Sequence, residues 1–143
     1  MMKRRQTLSR YASGYSAPLM GAPGGRHVKD VLVVDDERSL RLLCRVNLEL
    51  EGHTVREAET LAEARRELER GAPDVILLDI HVGSDDGLEL LDEIAALELP
   101  SRVVLLSGTA EVSPELRARV DSVLGKPFEL ENLSAAVTGS RVR

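Results

Sequence analysis

The chain has 143 residues, enough for one domain with a single good core, and carries 43% hydrophobic and 30% charged residues with a net charge of −5. With no Trp, one Phe and two Tyr, that core has to be aliphatic, and the single Cys44 excludes both an internal disulfide and a cysteine-based zinc site. No apolar run approaches the length needed to span a bilayer, so no membrane association is expected.

Residues 1–27 hold five of the 19 basic residues (Lys3, Arg4, Arg5, Arg10 and Arg26) and none of the 24 acids. The opening MMKRRQTLSR contains a twin Arg. The following YASGYSAPLMGAPGGRH is too polar and too rich in Gly and Pro for a signal-peptide core, so export is not expected and the cytoplasm is the default compartment. These residues read as a disordered basic tail, with Met20 as an alternative start. The remainder is strongly acidic and would repel a phosphate backbone, so nucleic acid is not an expected partner.

From about Val28 strand-like and helix-like segments alternate. VLVVD (31–35) is a continuous apolar run of the kind covered on both faces. ERSLRLLCRVNLELEG follows as a helix, with Leu40, Leu43, Cys44 and Leu48 assigned to its core face and Gly52 as its stop. On that face Cys44 reads as a small buried hydrophobe rather than a nucleophile, and Asn47 projects the same way, to be hydrogen-bonded or partly exposed. TVREAE (54–59) is a short edge strand, and Thr60 with Glu63 forms a capping box for a helix ending at Gly71. DVILLD (74–79) is a second buried strand, followed by the loop IHVGSDDG and the helix LELLDEIAALE (88–98). RVVLLSG (102–108) is the next strand, SPEL (113–116) starts a short helix with Ser as cap and Pro first, SVLG (122–125) is the last strand, and KPFELENLSAAVTGS supplies the final helix.

This order implies an α/β doubly wound sandwich with a five-stranded parallel sheet, whose functional crevice lies at the carboxyl ends of the strands. Asp35 and Asp36 end the first strand, Asp79 the third, Ser107 the fourth and Lys126 the fifth. Crowding carboxylates at a buried strand end is costly unless something positive compensates. A hard divalent cation such as Mg²⁺, held by Asp35, Asp36 and Asp79 with Lys126 opposite, answers that cost. The chemistry such a set suits is phosphoryl transfer to a carboxylate: Asp79 as nucleophile, Mg²⁺ and Lys126 neutralising the phosphoryl oxygens, Ser107 donating its hydroxyl, and Gly108 leaving the approach open. Glu37 suits a helix first turn, and His81 and Thr109 read as variable loop residues near the site.

VLVVDDE, VILLDI, the DG at 86–87, LLSGTA and GKPF resemble, in order, the signature blocks of the receiver domain of two-component response regulators. The resemblance covers residues 28 to about 138, with residues 139–143 as a short C-terminal tail. It implies the flavodoxin-like (βα)5 fold and phosphorylation of Asp79 by a histidine kinase or histidine phosphotransfer protein, with Mg²⁺ required and a downstream protein target. By position, Asp35 and Asp36 match the acid pair, Asp79 the phospho-acceptor, Ser107 the hydroxyl and Lys126 the invariant lysine, with Pro127 where the family usually has a cis peptide. It further implies a signalling phospho-acceptor that catalyses only its own phosphorylation and dephosphorylation, and a first helix that docks the kinase, here through Leu42 and Val46. Because the chain stops about five residues after the last helix, a stand-alone relay or adaptor without an output domain is expected.

Three departures stand out. Gly83 replaces a usual Pro in the loop after Asp79, which makes that loop more flexible by expectation. The segment from Ser107 to Lys126 is short, which trims the fourth helix. Val123 stands where the family generally keeps a Tyr or Phe that swings inward on phosphorylation. That last change supports an alternative, a phosphorylation-independent interaction module with a receiver fold. An aspartyl-phosphate phosphatase is a further rival, but such enzymes carry two acids spaced by one residue after the first strand.

Overall fold

The computed structural model describes residues 28–108 and 112–139. The expected tail over residues 1–27 lies outside them, as do Thr109 and residues 140–143. Five parallel strands form the sheet: β1 (Asp30–Val34), β2 (Thr54–Ala58), β3 (Val75–Asp79), β4 (Arg102–Ser107) and β5 (Ser122–Gly125), in the order β2-β1-β3-β4-β5. Five helices alternate with them: α1 (Arg38–Leu50), α2 (Leu61–Glu69), α3 (Leu88–Ala96), α4 (Pro114–Arg117) and α5 (Leu130–Thr138). The expected doubly wound sandwich is therefore the observed one.

The alternation of side chains along each strand divides the core in two. Leu32, Val34, Ile76, Leu78, Val103 and Leu105 point to the side of α2 and α3, where Leu61, Ala64, Leu90 and Ile94 meet them. Val31, Val33, Val75, Leu77, Val104 and Leu106 point to the side of α1 and α5, against Cys44, Leu48, Leu133 and Val137. Both faces of β1 and β3 are thus sealed, which is why these strands read as unbroken apolar runs. Cys44 is fully buried, and burial, with Asp35 nearby, pushes its thiol up to about 12, so it is an inert part of the packing.

The helix starts follow their caps. Thr60 Oγ1 accepts from Glu63 N at 3.0 Å while Glu63 Oε1 accepts from Glu59 N at 2.7 Å, and Ser113 Oγ accepts from Leu116 N at 3.1 Å ahead of Pro114. The fourth helix is trimmed as expected, to four residues.

Two details differ from the sequence reading. Leu43, assigned to the core face of α1, is 40% exposed, and the buried face of that helix runs through Arg41, Cys44 and Leu48. The reason is that Arg41 finds polar partners inside, so a cation takes the place in the helical stripe that an apolar residue was expected to hold. The loop after Asp79 also contains a two-residue antiparallel ribbon, His81–Val82 against Asp85–Asp86. Gly83 sits at its turn with φ +65°, a conformation that glycine adopts at no steric cost.

Candidate phosphoryl-acceptor site

The carboxyl ends of β1, β3, β4 and β5 meet at an open pocket of about 580 Å³ lined by Asp35, Asp36, Glu37, Asp79, His81, Gly83, Gly108 and Lys126. Each functional side chain arrives where its strand stops. Asp35 follows β1 and is fully buried; Asp36, one residue further, is exposed. Asp79 is the last residue of β3 and is 8% exposed. Lys126 follows β5, where its backbone N–H donates to the Ser107 carbonyl at 2.7 Å and its peptide bond to Pro127 is cis, as the resemblance implied.

Lys126 is the centre of the arrangement. Its Nζ donates to Asp35 Oδ2 at 2.9 Å and to Asp79 Oδ2 at 3.2 Å, so one ammonium bridges acids from two different strands. The second oxygen of Asp35 accepts from Glu37 N at 2.9 Å, and that of Asp79 accepts from His81 N at 3.3 Å. Asp35 thus has both oxygens engaged, whereas among the described residues Oδ1 of Asp79 has one long hydrogen bond.

The charges do not balance. Burial and the neighbouring Asp35 raise the Asp79 carboxyl above its ordinary value, although Lys126 and the His81 amide oppose them. Burial pulls the Lys126 ammonium down, but the hydrogen bond and charge of Asp35, with Asp79, outweigh it and leave a net upward shift. One cation against three acids leaves room for more positive charge. The three carboxylates offer one oxygen each, all within 4.8 Å of one another, a set of hard donors that fits one small divalent cation.

Four of the five expected site residues, Asp35, Asp36, Asp79 and Lys126, therefore share one pocket wall. Ser107 ends β4 at the same edge but is 3% exposed, and Gly108 forms the wall there. Among the described residues, a Cβ on Gly108 would meet nothing within 4 Å, so none of them closes this side of the approach. His81 is exposed and lines the pocket, close to Asp79 as expected. Glu37 precedes α1 without capping it through its side chain. The residue that sequence reasoning missed is Arg41, 9% exposed, whose Nη1 donates to the Asp35 carbonyl at 2.9 Å. The available signal was a single cation in the helical series 41, 44, 48, whose other two members, Cys44 and Leu48, are apolar.

Comparison with known proteins gives a consistent family. Residues 31–138 match the model of the response regulator receiver domain. The KDP operon transcriptional regulatory protein KdpE of Escherichia coli is 36% identical over 109 residues, covering 74% of this chain and 48% of the relative. The alkaline phosphatase synthesis transcriptional regulatory protein PhoP of Bacillus subtilis is 32% identical over 112 residues, covering 76% and 47%. Among solved structures, the receiver domain of NtrX from Brucella abortus superposes with a TM-score of 0.68 at 34% identity, over 78% of this chain and all of that one. A response regulator from Burkholderia pseudomallei, solved with a phosphorylated aspartic acid, a calcium ion and citrate, has a TM-score of 0.68 at 30% identity, covering 76% and 66%. The chain spans about half the length of the curated relatives it matches. Two of those are named as transcriptional regulators, so the charge argument against nucleic acid extends no further than the surface of the receiver itself.

Proposed function

Since the chain belongs to the response regulator receiver domain family, we propose that Asp79 accepts a phosphoryl group from the phosphohistidine of a histidine kinase or histidine phosphotransfer protein. The observation that carries this reading is the Lys126 bridge between Asp35 and Asp79, set beside three carboxylates that converge within 4.8 Å. Receiver domains are signalling modules rather than turnover enzymes, and the reaction is one the module performs on itself.

In this reading Lys126 holds Oδ2 of Asp79, which leaves Oδ1 as the oxygen with the freer lone pairs. That oxygen attacks phosphorus in line, the new O–P bond forms as the P–N bond to the donor imidazole breaks, and the electron pair returns to the imidazole nitrogen, which takes up a proton. Lys126, released from its hold on Asp79 oxygen charge, meets the oxygens of the transferred group, and the Ser107 hydroxyl donates to another. Asp35, Asp36 and Asp79 would hold a divalent cation such as Mg²⁺, which would supply further neutralisation of that charge. Water later hydrolyses the acyl phosphate and resets the module. A kinase donor places these events in the cytoplasm; among the described residues no helix is long and apolar enough to cross a membrane.

The test is incubation with acetyl phosphate and Mg²⁺, read by intact mass. The wild-type protein is expected to gain one phosphoryl group and Asp79→Asn to gain none; a gain in the variant, or none in the wild type, refutes the reading. The same variant carries a second expectation. Because the folded state raises the Asp79 pKa, its ionised form destabilises the cation-free fold, an effect that is absent below the ordinary carboxylate range and complete above the folded pKa. Asp79→Asn is therefore expected to melt higher than wild type in chelator at neutral pH, by about 0.5–2 kcal/mol of stability.

The outer face of α1 is where we place the donor. Leu42 and Val46 are 54% and 46% exposed, as expected, and Leu43 and Leu50 extend them into an apolar stripe at helical spacing. Leu42→Asp with Val46→Asp is expected to slow phosphotransfer from a cognate kinase by roughly tenfold or more. Phosphorylation by acetyl phosphate, which needs no docking, should stay within about twofold of wild type; equal losses with both donors would refute the placement.

A second reading has one observation in its favour. Val123 is half-buried against the α2–α3 side of the core, where an aromatic switch is absent, and so suits a module whose partner binding ignores phosphorylation. The stand-alone relay expected from the sequence rested on where the chain ends. Its relatives are longer, so the proposal is made for the receiver module.

A further inference from the structure

One buried cation has no part in the chemistry just assigned to Asp79. Arg41, on the inner face of α1, is 9% exposed. Its Nη1 donates to the backbone carbonyl of Asp35 at 2.9 Å and its Nε to Glu57 Oε1 on β2, also at 2.9 Å. The other Glu57 oxygen lies 2.8 Å from Arg45, so Glu57 is held from both sides. Glu57 keeps 29% of its side chain exposed, but taking the Arg41 guanidinium out of water carries a desolvation cost that an apolar side chain of the same volume would not. The geometry of the pair calls for another reason.

What Arg41 grips is the peptide that joins Asp35 to Asp36. Around that peptide Asp35 N donates to Ala58 O at 3.1 Å, Glu37 N donates to Asp35 Oδ1 at 2.9 Å, and Arg41 N donates to Glu37 O at 3.1 Å. A peptide unit is planar, so fixing the Asp35 carbonyl fixes the plane from which Asp36 departs. The carboxylate of Asp35 is engaged by Glu37 N and Lys126. That of Asp36, in contrast, is exposed and makes no hydrogen bond or ion pair among the described residues, so the backbone fixes only the point and direction from which its side chain departs.

We infer that Arg41 is a positioning residue for the cation site: by clamping the Asp35 carbonyl against Glu57, it holds Asp36 beside Asp35 and Asp79 and so sets the affinity for a divalent cation. This rests on the reading of the three acids as that site. Residues that orient metal ligands through one hydrogen bond commonly change metal affinity tenfold or more when removed. The sign is diagnostic. Removing a positive charge close to a cation site strengthens binding by Coulomb attraction alone, whereas losing the clamp weakens it.

The experiment is titration of the cation-free protein with Mg²⁺ by calorimetry, with Mn²⁺ followed by electron paramagnetic resonance as a second probe. Arg41→Gln is expected to weaken binding roughly tenfold. Arg41→Lys keeps the charge but cannot hold carbonyl and carboxylate in one fork, so it should weaken binding by about threefold. With acetyl phosphate, the half-saturating Mg²⁺ concentration should rise by the same factors, while the rate at saturating Mg²⁺ changes by less than about threefold. Unchanged or tighter Mg²⁺ binding in folded Arg41→Gln overturns the inference, as does a fall in the saturated rate at unchanged Mg²⁺ dependence. Should Arg41→Gln fail to fold, wild-type affinity in Arg41→Lys overturns it equally. A wild-type protein that binds neither ion overturns the underlying reading of the acids instead, so the two failures are distinct.

Discussion

Gly87→Ala is expected to destabilise the fold by roughly 2–4 kcal/mol and to slow Asp79 phosphorylation in whatever folded protein survives. Gly87 precedes α3 with an ordinary φ of −59°, so backbone strain plays no part. The cause is space. A Cβ at this position would fall inside the van der Waals radius of the Asp79 carbonyl oxygen, with the Ile80 carbonyl oxygen at 3.0 Å. Both obstacles are backbone, and Gly87 N already donates to Ile80 O at 2.6 Å, so neither can swing aside as a side chain would. Relief requires α3 to lift away from β3, or the acceptor residue to shift at the strand end. A melting curve and the acetyl phosphate rate measure the two consequences, and a variant with wild-type values for both would refute the argument. Gly108→Ala is the control: its Cβ meets nothing within 4 Å among the described residues, so the fold should keep its stability.

Lys126→Gln is expected to lower the rate of phosphorylation by acetyl phosphate at least 10²-fold, on the order of what one preorganised charge contributes in a shielded site. The same substitution should tighten Mg²⁺ binding, because a positive charge 2.9 Å from Asp35 and 3.2 Å from Asp79 competes with the cation for those acids. Opposite movement of affinity and rate separates this residue from a mere scaffold, which would lower both. In chelator the variant also leaves Asp35, 0% exposed, beside Asp79 without its ammonium, a situation that costs about 3–5 kcal/mol for a buried pair. Mg²⁺ is expected to restore much of that loss. The pH dependence has a definite sign. The folded state raises the Lys126 pKa, so its contribution is fully present below the ordinary lysine range and is lost as pH rises through the folded value. A rate that declined near neutrality with the titration of this group would contradict the assignment.

Much of this was readable from the chain because the strands are buried on both faces and so carry an unmistakable apolar run, each ending in a polar residue. VLVVD and DVILLD placed Asp35 and Asp79 at one sheet edge within a residue of where they stand. Cap residues located α2 and α4 for an equally local reason: Thr60 and Ser113 act within three residues of themselves. What was illegible is what depends on partners distant in sequence. Leu43 was drawn inside because a helical stripe was counted through apolar residues only, whereas Arg41 becomes an inside residue once Glu57 and the Asp35 carbonyl are there to receive it. The ribbon at His81–Val82 and Asp85–Asp86 is two residues a side, too short to leave a period. Ser107 was legible in position but not in burial, since nothing in LLSG says that Gly108 rather than Ser107 forms the pocket wall.

The hydrogen bonds that gather the acceptor site close very long loops: Lys126 reaches Asp35 across 91 positions of sequence and Asp79 across 47. Contacts of that span come late in folding, after nearer pairings have drawn the chain together. During synthesis on the ribosome, then, Asp35 and Asp79 emerge well before the lysine that bridges them. An unfinished or unravelled molecule presents those carboxylates without the ammonium that bridges them, so under the proposed function only a chain that has completed its sheet is expected to accept a phosphoryl group.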